Sequence, residues 1–218
     1  MNKVGQQIPK VTARRLPVYY RYLDRLASLG VRRISSAEIS RSLNIDPATI
    51  RRDLSYLGAL GKKGYGYDVQ YLIQFLREFL KQDEMTHVVL IGVGNLGTAL
   101  IQYDFLKNNA LIVAAFETDP TKIGQEINGV PIYSLDRMEG IIKKEDVLVA
   151  VLAVPVHAAQ GVTNQLVRSG IKGVLNFTPT RLQVPEEVVI HHIDLSIELQ
   201  SLIYFMKNTN AGIVDEDE

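Results

Sequence analysis

The sequence predicts an α/β fold in two modules. An N-terminal winged helix-turn-helix domain precedes a C-terminal Rossmann-like dinucleotide-binding domain that ends in an apolar helix. Three observations carry this. The apolar run Val88-Val89-Leu90-Ile91 ends in Gly92-Val93-Gly94-Asn95-Leu96-Gly97, a GxGxxG triplet that follows a strand pattern and opens a helical one. An acid, Glu117, closes the next apolar run 20 residues beyond Gly97. Finally, the charge is split. Residues 1–67 hold 13 Lys and Arg against 4 Asp and Glu, a net +9, and the rest hold 11 against 20, a net −9. A basic module that meets a polyanion is thereby joined to one that does not.

Bulk composition narrows the class. A chain of 218 residues with 46% hydrophobic content suits one large domain or two small ones with real cores. It has no apolar run of 18 residues and no basic-then-apolar leader, so a soluble cytosolic protein is expected. The absence of cysteine removes disulfides, thiolate catalysis and Cys-based metal sites, and no metal site is expected.

Residues 1–9 read as a mobile lead-in. A first helix is expected over residues 11–29, with Leu16, Tyr19, Tyr20, Leu23, Leu26 and Ala27 at helical spacing and Gly30 as its stop. Pro17 implies that the regular helix begins near it or kinks there. Ser35-x-x-Glu38 fits a capping box for a second helix striped by Ile39 and Leu43. Asp46-Pro47, a capping acid before a first-position proline, announces the third. Ile50, Leu54 and Leu57 turn its inner face to the core. Thr49, Arg51, Arg52, Ser55 and Tyr56 are left outside as candidates for the major groove. Gly61-Lys62-Lys63-Gly64-Tyr65-Gly66-Tyr67 reads as a β-hairpin wing that brings Lys62 and Lys63 to the DNA backbone. Arg14 and Arg15 on the first helix complete the candidate DNA-binding set. Asp68 caps a further helix, after which Lys81-Gln82-Asp83-Glu84 marks a boundary. The winged-helix domain is expected at 1–83, the dinucleotide-binding domain at 84–193, and the C-terminal helix with its acidic tail at 194–218.

In the second module each glycine has a task. Gly92 permits the tight turn, Gly94 lets the backbone approach a pyrophosphate, and Gly97 lets helix and strand pack closely. The helix start offers free N–H groups and the positive end of its dipole to the phosphates, and Val93, Asn95 and Leu96 join the glycines as candidate cofactor-binding residues. Glu117 accepts a ribose diol and repels a 2′-phosphate, which favours NAD(H) over NADP(H). The helix is expected to run from Asn95 to about Leu106, and Gly129-Val130-Pro131-Ile132 to form a short edge strand on a parallel, doubly wound sheet. Ala153, Val154 and Pro155 end one strand, and Asn176, Phe177 and Thr178 another, so both sets are candidates to line the cofactor. His157 reads as a helix-start residue rather than a catalytic base, since no partner acid or nucleophile accompanies it. No catalytic residue is assigned.

The segment from Asp194 to Met206 is unusually apolar for a terminus and must be covered. It either closes its own domain or packs on a second subunit. The second is preferred, because helix-turn-helix proteins bind DNA mostly as two-fold dimers.

Taken together, Arg15-Leu16-Pro17-Val18-Tyr19-Tyr20-Arg21, Arg51-Arg52-Asp53-Leu54-Ser55-Tyr56-Leu57-Gly58, the wing, the glycine triplet with Tyr103, Asn176-Phe177-Thr178-Pro179 and Asp194-Leu195 with Glu198-Leu199 resemble the Rex family of redox-sensing transcriptional repressors over nearly the whole chain. The resemblance implies a homodimer with exchanged C-terminal helices, each inserted between the partner's two domains. It implies operator affinity that falls when NADH binds, with NAD⁺ competing for the same site. It also implies a switch network of an Arg, a Tyr and an Asp, positions matched here by Arg15, Tyr103 and Asp194. The family often carries Asp where this chain has Glu117.

An NAD-dependent dehydrogenase needs a substrate domain, for which too few residues remain after the dinucleotide fold. A regulator of the same architecture that senses a CoA derivative would not depend on Glu117.

Overall fold

The computed structural model describes residues 8–58, 61–62 and 64–208, the side chains of Lys62 and Asn108 excepted. The lead-in through residue 7, Lys63 of the wing and the acidic tail from residue 209 lie outside the described residues. The chain divides into two compact units between Asp83 and Glu84.

The first unit opens with α1 (Lys10–Ser28), then β1 (Arg33–Ile34), α2 (Ser36–Leu43), α3 (Pro47–Tyr56), β2 (Gly61–Lys62), β3 (Gly66–Asp68) and α4 (Val69–Phe79). Helix α1 starts seven residues before Pro17 and passes through it, so of the two expectations, a start near the proline or a kink there, the first is corrected. Proline removes one intrahelical N–H bond. Burial of Leu16, Tyr19 and Leu23 on the face beside it holds the helix together nonetheless. The capping box of α2 forms as read: Ser35 Oγ accepts the Glu38 N–H, and a Glu38 carboxylate oxygen accepts the Ser35 N–H at 2.8 Å. Asn44 turns the chain in the left-handed region (φ 52°), and Asp46 then caps α3 by accepting from the N–H groups of Ala48 and Thr49. Strands β2 and β3 pair antiparallel as the wing. The two-residue β1, which no periodicity announces, joins them in the order β1-β3-β2. One core serves the unit, built on Leu16, Tyr19, Leu23, Ile39, Ile50, Leu54, Leu72 and Leu76.

The second unit carries β4 (Thr86–Ile91), α5 (Asn95–Gln102), β5 (Ala110–Glu117), β6 (Glu126–Ile127), β7 (Val130–Ser134), α6 (Met138–Lys144), β8 (Val149–Leu152), α7 (Val156–Arg168), β9 (Gly173–Asn176), β10 (Val189–His192) and α8 (Leu195–Asn208). Its seven-stranded sheet has the order β10-β9-β8-β4-β5-β7-β6. All pairs are parallel except β6 with β7, so the sheet is mixed rather than wholly parallel. The segment from Val130 is not the edge strand expected of it. The edge is β6, and Asn128 and Gly129, both at positive φ, turn the chain back into β7. Helix α5 ends at Gln102, not near Leu106, because Tyr103 is extended (ψ 135°) and a 3-10 turn follows over Leu106–Asn108. Apolar clusters fill both faces of the sheet, one around Phe116, Leu152 and Leu166, the other around Leu90, Ala115 and Ile132. Among the described residues no helix is long and apolar enough to cross a membrane.

Candidate nucleic-acid interface and dinucleotide site

On the first unit, α3 presents one buried and one open face. Ile50, Leu54 and Leu57 are buried, whereas Arg51, Arg52 and Ser55 are exposed and Thr49 and Tyr56 half-buried. Arg51 donates to Ser36 Oγ at 3.2 Å, so its guanidinium is braced against the start of α2. A concave surface runs between α3 and the hairpin and is lined by Ser36, Arg51, Ser55, Gly61, Tyr65 and Gly66 among others. Arg33 of β1 stands over the ring of Tyr65 at 5.6 Å, tying the hairpin to the strand beside it. Lys62 lies on β2, and Lys63, also a candidate, is outside the described residues. Arg14 is exposed on α1.

Arg15 has a partner that sequence reading missed. Its Nε and Nη2 donate to the two carboxylate oxygens of Asp53 at 2.6 and 2.8 Å. Asp53 sits on α3 and is 1% exposed, and it also accepts from Thr12 Oγ1 at 2.8 Å and Tyr19 Oη at 2.7 Å. Burial alone would push this carboxyl up. The bonds from Arg15, Tyr19 and Thr12 outweigh it and hold Asp53 below the usual carboxylate range. Burial and the bond to Asp53 push the Tyr19 hydroxyl well above its ordinary value, so it remains a donor. A signal was present in the sequence: Asp53 falls on the stripe Ile50, Asp53, Leu54, Leu57, a core position where a charge needs a partner.

On the second unit the glycine loop joins β4 to α5 at the carboxyl end of the sheet, where β4 lies between β5 and β8. Gly92 has φ 92°, and a Cβ there would collide with the Ala153 carbonyl. A Cβ on Gly97 would run into the Gly92 carbonyl oxygen and press on Leu90, so this glycine sets how closely α5 approaches β4. Gly94 differs: a Cβ there meets no protein atom within 4 Å. Helix α5 has no side-chain cap, and Gly94, Asn95 and Leu96 are exposed around its first N–H groups. An open Gly94 beside an uncapped helix start is the cradle that a pyrophosphate needs, so the residues present fit a dinucleotide.

Glu117, the last residue of β5, reaches this loop. Its Oε2 accepts the Val93 N–H at 2.7 Å, and its Oε1 accepts the N–H groups of Thr118 and Asp119 at 2.7 and 3.1 Å. Burial raises the carboxyl, but these backbone donors outweigh it and keep it below its ordinary value. Lys122, another residue missed from sequence, donates to the Val93 carbonyl at 3.0 Å. On the far side of β4, Ala153 and Val154 are half-buried and Pro155 is exposed at the start of α7. Asn176 is fully buried: its amide donates to the Thr180 carbonyl at 3.0 Å, and its carbonyl oxygen accepts from the Thr178 N–H and hydroxyl at 2.9 and 2.6 Å. Asn176 and Thr178 therefore shape this loop from within, and Phe177 packs half-buried against the sheet. His157 is exposed in the first turn of α7.

The three matched network residues have separate partners. Arg15 pairs with Asp53, the Tyr103 ring lies against Phe105 at 4.8 Å, and Asp194 caps α8 through the N–H groups of Ser196 and Ile197. Helix α8 buries none of its residues. Among the described residues no group of three His, Asp or Glu side chains is set to hold a metal ion.

A winged helix with an arginine-bearing third helix and a Rossmann-like sheet with an open glycine cradle define a two-unit DNA-binding regulator. Similarity to known proteins specifies it further. The family described as "Putative DNA-binding protein N-terminus" matches residues 7–55, and the one described as "CoA binding domain" matches residues 83–180. The chain is 59% identical over 209 residues to the redox-sensing transcriptional repressor Rex of Bacillus subtilis (strain 168), covering 95% of this chain and 96% of that protein. It is 57% identical to the Rex repressor of Bacillus pumilus (strain SAFR-032) over the full length of both. Crystal structures of RSP, a Rex-family repressor, superpose with TM-scores of 0.87 for the complex with NAD⁺ and operator DNA and 0.85 for the complex with NADH. They are 33% and 32% identical, and each spans 94% of this chain and 95% or more of the other. The chain belongs to the Rex family of redox-sensing transcriptional repressors.

Proposed function

We propose that the protein is a transcriptional repressor that reads the balance of NADH and NAD⁺. It binds a palindromic operator as a homodimer, through Arg51, Arg52 and the neighbouring exposed residues of α3 and through the wing. It leaves the operator when NADH binds at the glycine loop. The observation that carries this reading is the joining, in one chain, of an exposed arginine face on α3 to an open Gly94 cradle closed by an ionised Glu117. Glu117 accepts the ribose diol and disfavours a 2′-phosphate, which selects NAD(H). Helix α8, whose Leu195, Leu199 and Leu202 are exposed, is the segment exchanged between subunits. NADH moves the switch only by binding the arrangement with poor operator affinity more tightly. The protein is a binder rather than an enzyme, and it acts in the cytoplasm, where its DNA is.

The test is fluorescence anisotropy of an operator selected from random duplexes, titrated with protein alone, with NADH, and with NADH plus excess NAD⁺. Release by NADH, reversed by NAD⁺, is the expected result. Binding insensitive to both would overturn the sensor. A CoA derivative as the ligand is the second reading, favoured by the domain match at residues 83–180. It predicts release by that compound and indifference to Glu117→Gln.

A further inference from the structure

Glu117 does not have both of its oxygens free. Its Oε1 accepts three donors: the Thr118 N–H at 2.7 Å, the Thr118 hydroxyl at 3.2 Å and the Asp119 N–H at 3.1 Å. Its Oε2 accepts the Val93 N–H at 2.7 Å. A carboxylate oxygen offers about two lone pairs, so Oε1 is full and Oε2 has one acceptor position left. A ribose diol brings two hydroxyl groups. One of them finds Oε2, and the other needs a different partner.

Lys122 stands on the opposite edge of the same residue. Its Nζ donates to the Val93 carbonyl at 3.0 Å. The Asp119 carboxylate lies 4.0 Å from it, beyond hydrogen-bond reach, and accepts instead from the N–H and hydroxyl of Thr121. An ammonium carries three N–H donors, so among the described residues two of them remain for a ligand. With 39% of its side chain exposed, Lys122 is open to one.

We propose that Lys122 is the second ligand of the adenosine ribose: Glu117 Oε2 accepts from the 2′-hydroxyl, and Lys122 donates to the 3′-hydroxyl. The inference rests on the reading of the glycine loop as an NAD(H) site. The chemistry sorts the two partners. A carboxylate can only accept and an ammonium can only donate, whereas a hydroxyl does either. In dinucleotide folds the acid beyond the glycine triplet takes the 2′-hydroxyl, which leaves the 3′-hydroxyl to Lys122. The fold sets the ammonium in place for this. The Val93 carbonyl tethers Nζ at the glycine loop while the Val93 N–H tethers Glu117, so one backbone residue presents both side chains to the nucleotide.

The experiment is isothermal titration of the full-length protein with NADH and with its 2′-deoxy and 3′-deoxy adenosine analogues, for the wild type and Lys122→Met. Methionine keeps the apolar stem and removes the donors. In the wild type, loss of the 3′-hydroxyl is expected to weaken binding about tenfold, because a hydrogen bond to a charged group is lost. Lys122→Met should lose about as much with NADH, and then change by less than about twofold when the 3′-hydroxyl is also removed. The 2′-deoxy analogue, whose missing group faces Glu117, should carry the same penalty in both proteins. This comparison separates a ligand from a brace. If Lys122 only steadies the Val93 carbonyl, the variant binds all three nucleotides more weakly by one common factor and the 3′ penalty survives, which overturns the proposal. A wild type indifferent to loss of the 3′-hydroxyl overturns it too, and that measurement needs no variant to fold. A wild type that does not bind NADH would sink the reading and this inference together, whereas an NADH-binding wild type whose 3′ penalty persists in Lys122→Met sinks the inference alone.

Discussion

The backbone of Val93 is gripped on both sides by the end of β5 and the turn that follows: Glu117 accepts its N–H at 2.7 Å, and Lys122 donates to its carbonyl at 3.0 Å. The acid proposed to select the ribose is therefore also a strut of the loop proposed to receive the pyrophosphate. With three backbone donors on its carboxylate, Glu117 remains ionised at neutral pH.

Glu117→Gln is expected to weaken NADH binding about tenfold or more. A neutral amide loses charge-assisted bonds worth about 1.5–3 kcal/mol and turns an N–H toward other N–H groups. The preference for NADH over NADPH should narrow at the same time. Isothermal titration with both nucleotides checks this; equal NADH affinity in wild type and variant would remove Glu117 from the site.

The glycines of the loop separate binding from folding. Gly94→Ala adds a Cβ into space that no protein atom occupies, so the fold should hold while NADH affinity falls about tenfold. Gly97→Ala forces the new methyl against the Gly92 carbonyl, which must move. A loss of about 1–3 kcal/mol in stability is expected, as for an overpacked core site. Melting temperature and NADH titration together distinguish the two. The Gly94 variant should bind operator normally and need about tenfold more NADH for release.

The elements most legible in the sequence are those with a local cause. The capping box at Ser35 and the Asp46-Pro47 start of α3 each depend on bonds within a few residues, and each occurs where spacing placed it. The features that escaped depend on distant contacts. β1 exists because Arg33 and Ile34 find β3, more than 30 positions away. The end of α5 is set by Tyr103 adopting an extended backbone, although the apolar pattern continues to Leu106. The partners of Asp53 are of this kind, lying on α1 34 to 41 residues upstream. Lys122 was hidden in the same way, its acceptor being a backbone carbonyl 29 residues away.

Helix α8 exposes Leu199 at 57% and Leu202 at 64%, which is costly unless a second chain covers them. Leu199→Glu with Leu202→Glu should shift the protein from dimer to monomer in sedimentation velocity at micromolar concentration. Operator affinity should fall by at least about 100-fold, since one half-site contacts too little DNA. A variant that sediments as a dimer would place the subunit interface elsewhere.

On the DNA side, Arg51 and Arg52 should separate by the kind of contact each makes. Truncating a phosphate-binding arginine to Ala weakens all sequences alike and lowers the salt slope by about 1, whereas truncating a base-reading one costs about 1–3 kcal/mol at a single operator position. Arg51, braced on Ser36, is held in a fixed direction and is expected to read a base; Arg52, exposed on the same helix, is expected to hold a phosphate. Operator affinities measured over a salt series, with point changes in each half-site, decide the assignment.

The Asp53 cluster also predicts how the first unit responds to acid. Its carboxyl ionises in the folded protein below its ordinary value of 3.8. A depressed folded value means that the stabilisation is fully present above the ordinary value and is lost as pH falls through it toward the folded one. Hydrogen exchange at the α1 and α3 amides, followed by mass spectrometry on the intact chain, reads this locally. In Asp53→Asn, where no ion pair forms, protection should be lower than in wild type by an amount that is constant from about pH 5 to 8. Below about pH 4 the gap should close, because the wild type then loses what the variant never had. Arg15→Ala should show the larger loss near neutrality, about 3–5 kcal/mol, since it leaves the carboxylate buried without its cation. That variant should recover part of its protection as acid neutralises Asp53. A gap that widened in acid would mean that the carboxyl is held neutral in the fold, with its folded value raised rather than lowered.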